Sequence, residues 1–143
     1  MADIFNDFPI KAPAEKVFQA ISTPAGLDAW WTLTAAGEAK EAAEYDLGFG
    51  LDCTWLAVVS RCDPDKEFEL KLVRADSDWE GTRVEFLLAE KDGVTDVRFH
   101  HTGWPASNDH YRISCHCWAL YLRLMRRYVE RGEIVRYADR LDV

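Results

Sequence analysis

No run of about 20 consecutive apolar residues, the length a helix needs to cross a bilayer, occurs anywhere in this chain of 143 residues. A membrane-spanning helix is therefore not expected. The amino terminus, Met1 to Asp7, lacks the basic-then-apolar order of a secretory signal, and a cytoplasmic location is expected. Cysteine is scarce: Cys53, Cys62, Cys115 and Cys117 form no Cys-x-x-Cys pair and are too few to staple a secreted scaffold, so reduced thiols are expected. Positive charge is in deficit, with 17 Lys and Arg against 25 Asp and Glu, and the resulting net charge of −8 repels phosphate backbones and anionic membrane surfaces. Nucleic acid is thereby removed as an expected partner. The one basic cluster, Arg123, Arg126, Arg127 and Arg131, falls in a helical stretch with acidic neighbours and reads as a solvated face. Internal repeats, low-complexity tracts and linkers are lacking too, so residues 1–143 are expected to form one domain around one core.

Motifs that carry chemistry are equally sparse. Gly48-x-Gly50 lies in a strand-like run with no helix after it, so no phosphate cradle forms and no cofactor is implied. Ser60, Ser107 and Ser114 lack a flanking glycine elbow, and no signature surrounds Cys53. Asp52 and Glu90 are the candidate inward carboxylate pair, but in so acidic a sheet they read as solvated. Cys115-His116-Cys117, with His100, His101 and His110 nearby, resembles a metal motif only in composition. On a helix the two thiols project about 200° apart, so the three side chains do not converge on one ion and no metal is expected.

Apolar and aromatic residues are abundant: 48% of the chain is hydrophobic, and six residues are Trp. Residues Ile4 to Ala12 alternate in character and end at Pro13, which predicts an opening strand. Val17, Phe18, Ala20 and Ile21 recur at helical spacing behind Pro13, and Ser22-Thr23-Pro24 stops that helix and caps a second short one that includes Trp30-Trp31. From Ala36 to Gly103 short alternating runs at 44–50, 54–62, 66–75, 82–91 and 94–102 predict an antiparallel meander. Asp63-Pro64-Asp65 and Asp92-Gly93 supply turns between them. Phe68, Leu70 and Leu72 share one face, as do Val84, Phe86 and Leu88 and then Val97, Phe99 and His101. Asn108 or Asp109 caps a long helix to about Arg131 with Gly132 as its stop, and its apolar stripe is Tyr111, Cys115, Trp118, Leu122, Met125 and Val129. The tail from Tyr137 to Val143 is expected to fray. Strand, two short helices, a run of strands and one long helix spell a segregated α+β fold, a curved antiparallel sheet gripping the last helix, with an internal cavity where the two fail to close.

Several of these residues together carry a family resemblance. Pro13-Ala14-x-x-Val17-Phe18-x-Ala20-Ile21, Thr23-Pro24, Leu27 and Trp30-Trp31, followed by His101-x-Gly103-Trp104 and Trp118-x-x-Tyr121-Leu122, resemble the activator of heat-shock-protein-90 ATPase homologues of the START-like SRPBCC superfamily. The resemblance implies a helix-grip fold with a hydrophobic pocket, in a superfamily whose members bind lipids, sterols, polyketides or plant hormones and in a minority catalyse cyclisation or hydrolysis. Fold alone does not assign function. The chaperone activator carries a second, amino-terminal domain that contacts the chaperone; this chain is expected to have no room for it, so the resemblance does not carry chaperone activation with it.

A small hydrophobic ligand in that pocket is the expected partner, lined by Trp30, Phe68, Leu70, Phe86, Phe99, His101, Trp118, Tyr121, Leu122 and Met125. His101 is the polar member of the set. Burial obliges it to find a partner, which is a backbone carbonyl, a tyrosine such as Tyr111 or Tyr121, or the carboxylate or carbonyl end of a ligand. Arg61 or Arg74, if inward, would serve such an end as well. Two alternatives stay open: an enzyme of the cyclase or hydrolase type with His101 as general acid or base, and an interaction module, a chaperone adaptor or half of a homodimer, anchored by exposed Trp31 and Trp104.

Overall fold

A computed structural model describes residues 2–143. Strand β1 (Ala2–Ile10) leads into helices α1 (Ala14–Ser22) and α2 (Pro24–Trp30); strands β2 (Thr34–Ala36), β3 (Glu44–Gly48), β4 (Thr54–Asp63), β5 (Glu67–Arg74), β6 (Arg83–Lys91) and β7 (Val94–Trp104) follow. Helix α3 (Asp109–Arg131) and a 3-10 turn (Tyr137–Asp142) complete the chain. The seven strands form one antiparallel sheet in the order β1-β7-β6-β5-β4-β3-β2, curved around α3. The expected helix-grip fold is present.

Each helix is fixed by local chemistry. Pro13 offers α1 no side-chain cap, and the carboxylate of Glu90 on β6 takes the place of one by accepting from the backbone N–H of Ala14 at 2.7 Å. That contact gives Glu90 a structural use; no inward pairing with Asp52, which sits in the β3–β4 turn at φ 59°, is seen. Thr23 caps α2 by accepting from Gly26 N–H at 3.0 Å, with Pro24 in the first turn. Gly26 is required there: a Cβ would stand 2.3 Å from the carbonyl oxygen of Gln19, inside the contact between the two helices. Asn108 caps α3, accepting from Tyr111 N–H at 3.0 Å, and Gly132 ends it in the left-handed conformation.

Alternation holds through the meander. Asp92 and Gly93 both take positive φ, 53° and 79°, as a tight hairpin between β6 and β7 requires. Phe68, Phe86 and Phe99 lie opposite one another across β5, β6 and β7, and Leu70, Val84 and His101 form the next row, continued by Ile4 of β1. All seven are buried beneath α3, whose Trp118, Leu122, Met125 and Val129 close the core from above. Burial of each such side chain contributes about 1.5–3 kcal/mol.

Four expectations need correction. The first strand spans Ala2–Ile10 rather than Ile4 to Ala12, because its register with β7 starts at Ala2 opposite Trp104. Strand β2 extends the meander by three residues that are too few to show a period. Arg61 and Arg74 are exposed, with Arg61 3.3 Å from Glu67 on the outer face, so neither reaches the interior. The tail does not fray: Arg140 is 3% exposed, and its Nε, Nη1 and Nη2 donate to the carbonyls of Val135, Thr32 and Asp28 at 3.0, 3.1 and 2.6 Å. Asp28 and Thr32 lie in and just beyond the last turn of α2, where carbonyls lack helical partners and the dipole favours a cation. We expect Arg140→Ala to destabilise the protein by about 2 kcal/mol in urea unfolding and to expose residues 133–143 to limited proteolysis; an unchanged cleavage pattern would refute this anchoring.

Candidate functional site

The expected open chamber between sheet and α3 is not present. Large rings fill it. The indole of Trp118 packs against Phe99, Trp31, Trp79 and His101 with ring centroids 4.5, 5.1, 5.8 and 5.9 Å away. Trp79 is the residue that sequence reasoning missed: it stands in the loop between β5 and β6, outside any strand period, and folds back onto the interior to lie 4.4 Å from the His101 ring. Its loop is tied to the start of α3 through Asp78, whose carboxylate faces His110 Nδ1 at 3.0 Å and accepts from Asn108 Nδ2 at 3.3 Å.

Within this packing His101 is satisfied, though by neither of the expected tyrosines. The indole N–H of Trp118 can only donate, and it donates to His101 Nδ1 at 3.0 Å. Nδ1 is thus the unprotonated nitrogen, and Nε2 carries the hydrogen, donating to Thr82 Oγ1 at 2.8 Å. Thr82 in turn donates to the carbonyl of Trp79 at 2.6 Å. Burial, with His110 as a smaller contribution, pushes the His101 pKa down to about 3. Both ring nitrogens are committed and the ring stays neutral, so in this arrangement it has none to offer a substrate as acid or base.

Trp31 and Trp104 are buried, not exposed. Trp104 is enclosed by Trp79, His101, His110 and Tyr111, and Trp31 by Trp30, Phe49 and Trp118, so neither serves as a surface anchor for a partner. Trp30 donates to the carbonyl of Ala20 at 2.9 Å and stacks on Trp31, while Phe68 meets Phe18 and Tyr45 edge-on. With Leu70, Phe86, Phe99, Leu122 and Met125 these two form buried packing.

Of the ten expected lining residues, only Trp118 and Tyr121 border the interior hollow that remains. That hollow measures about 30 Å³ and is lined by Trp31, Trp79, Ser114, Cys117, Trp118 and Tyr121. The four residues of α3 lie at i, i+3, i+4 and i+7, one face of the helix that meets the core stripe at Trp118. That spacing is the signal by which Ser114 and Cys117 were findable in the sequence. Three of these residues, Trp31, Trp79 and Trp118, belong to a closed circuit of rings that runs from Trp31 to Phe49, Trp55, Trp79, Trp118 and back to Trp31, at centroid distances of 5.7, 4.6, 4.9, 5.8 and 5.1 Å. The C-terminal tail holds one sector of it, for the Tyr137 hydroxyl donates to the carbonyl of Phe49 at 3.1 Å.

The site's polar side chains are uncharged, and its hydroxyls and thiol accept as well as donate. Burial raises the pKa of the Cys117 thiol, and burial chiefly, with Tyr137 and Cys117 assisting, raises that of the Tyr121 hydroxyl against the pull of Arg140. Among the described residues, two buried side-chain polar atoms have no hydrogen-bond partner, Trp79 Nε1 and Trp104 Nε1. Such orphans cost about 1–3 kcal/mol apiece and call for an explanation.

The chain resembles proteins of known structure. It is 28% identical to the Aha1 dimer from Colwellia psychrerythraea, with a TM-score of 0.83 over 93% of this chain and 99% of that one. Protein BH1534 from Bacillus halodurans (22% identity, TM-score 0.73, 91% and 98% covered) and CalU16 from Micromonospora echinospora (17%, 0.73, 98% and 84%) share the fold. No curated protein matches the chain. A family profile described as activator of Hsp90 ATPase homolog 1-like protein matches residues 11–130, and the chain belongs to that family within the START-like SRPBCC superfamily.

Proposed function

We propose that the protein binds a small hydrophobic or amphipathic molecule, of lipid, sterol or polyketide type, at the crevice between α2, the β5–β6 loop and α3. The observation that carries this reading is a hollow beside α3 walled by three packed indoles, Trp31, Trp79 and Trp118, which form part of a circuit of five aromatic rings. Aromatic walls supply dispersion and desolvation to an apolar guest without demanding a fixed orientation. A hollow of about 30 Å³ admits one water-sized group, so a larger guest seats its tip there and its body displaces Tyr121 or the loop bearing Trp79. This loop is the movable wall, since its polar ties to α3 run through Asp78 alone.

A ligand at one hundred times its Kd stabilises the folded state by about 2.7 kcal/mol, which for a chain of this size raises Tm by about 5–10 °C. Thermal melts with palmitate, cholesterol and an anthraquinone should show such a rise for at least one of the three. A flat response to all of them would refute the reading.

A further inference from the structure

We infer that the groove between β1 and α3 binds a small monocarboxylate with an apolar body the size of one aromatic ring, its carboxylate held by Arg123 and Arg126. This site is independent of the crevice proposed above. The two share no lining residue, and at about 100° per residue their stripes face roughly 140° apart on α3.

Strand β1 is an edge of the sheet, and α3 runs alongside it. Hydrogen bonds pin the pair at both ends: the Tyr111 hydroxyl donates to the carbonyl of Asp3 at 2.7 Å, and the Lys11 N–H donates to the Glu130 carboxylate at 2.8 Å. Between these ties lies a groove of about 160 Å³. Phe8, Ala119 and Leu122 give it an apolar lining, with Leu122 buried. The bonds at either end shut out a long peptide strand, and the volume is close to that of a cavity that holds one benzene ring.

Charge selects the head group. Arg123 and Arg126 both border the groove, three residues apart on one face of α3, and none of the ion pairs among the described residues involves either guanidinium. Their neighbour Arg127, by contrast, is held by Glu133. Long, flexible guanidinium arms that border one groove can close together on a carboxylate, whose planar oxygens accept charge-assisted, paired hydrogen bonds. The part-buried Asn6 brings an amide to the same groove. Asp7 borders it as well, so two cations and one anion leave a single positive charge, which suits a monoanion and disfavours a phosphate dianion. The repulsion of anions by the chain's net charge of −8 is screened beyond about 8 Å in physiological salt, so the groove's own charges decide.

Benzoate, benzyl alcohol and inorganic phosphate, titrated into ¹⁵N-labelled protein, test this. Benzoate should bind in the millimolar range and move the Asn6 side-chain amide and the backbone N–H of Phe8 and Ala119, and the other two should bind at least about fivefold more weakly. The double variant Arg123→Gln with Arg126→Gln should keep the urea midpoint and lose about tenfold in benzoate affinity. Asp7→Asn should tighten phosphate about two- to threefold. Wild-type affinity for benzoate should fall by about threefold over about a tenfold rise in salt, a readout that needs no variant and decides the matter should the double variant fail to fold. An affinity indifferent to salt, an unchanged affinity in a folded double variant, or benzyl alcohol or phosphate binding as tightly as benzoate would overturn the inference. Shifts confined to Trp31, Trp79 and Tyr121 would overturn it while leaving the crevice reading in place, and no shift anywhere would overturn it too.

Discussion

Replacing Trp118 with alanine should remove about 5 kcal/mol of folding stability, the largest loss expected from a single truncation in this protein. The side chain is 1% exposed and touches Phe99, Trp31, Trp79 and Tyr121 as well as His101. Its deletion therefore subtracts a transfer term, opens a cavity between sheet and helix, and strips the buried His101 Nδ1 of its donor. Since domains are stable by about 5–15 kcal/mol, urea unfolding should show the variant partly unfolded or close to it at 25 °C. Trp118→Phe should lose less, about 2–3 kcal/mol, because a ring remains while the hydrogen bond goes. A loss below about 1.5 kcal/mol for the alanine variant would mean that the aromatic layer collapses around the gap and that Trp118 is not its keystone.

Acidification should expose the second large effect, through His101. Above pH 6.5 the imidazole is neutral in both folded and unfolded chains and contributes no pH dependence. As the pH falls below 6.5 the unfolded chain binds a proton there, whereas the folded chain, with its pKa lowered to about 3 by burial, does not. Stability is therefore lost between pH 6.5 and about pH 3, at up to about 1.4 kcal/mol per pH unit, or about 3 kcal/mol by pH 4. His101→Gln cannot titrate, and its unfolding should take up about one proton fewer over that range. Parallel stability curves for wild type and variant between pH 6 and pH 4 would refute the buried, neutral assignment.

Residues whose neighbours in sequence are also their neighbours in structure were legible from the sequence. The strands show because Phe68, Leu70 and Leu72, then Val84, Phe86 and Leu88, keep a period of two, and Asp92-Gly93 permits hardly anything but a tight turn. Helix α3 shows because Asn108, Gly132 and its stripe agree on ends and face. What stayed hidden came from outside any period. Trp79 sits in a turn-rich loop, where no rule of spacing says that a side chain points inward. Its arrival changes the site from a chamber into a crevice, since eight of the ten expected lining residues become ordinary packing behind the rings. Arg140 was hidden for a different reason: a guanidinium in a terminal segment reads as solvated, and only three carbonyls brought together by the folded chain, one within the tail and two at the end of α2, make its burial favourable. His101 was placed on the correct face by alternation. Its partners, Thr82 and Trp118, lie far off in sequence and were beyond the reach of local patterning.

The position of a bound guest decides most directly whether the aromatic circuit is a binding site. Intermolecular nuclear Overhauser contacts from 2-isopropylnaphthalene, a probe without polar groups, should fall on Trp31, Trp79, Trp118 and Tyr121, with no contacts to Asn6 or Arg123 in the open groove between β1 and α3. Contacts confined to that outer groove, or a saturated complex with none at the crevice, would contradict it.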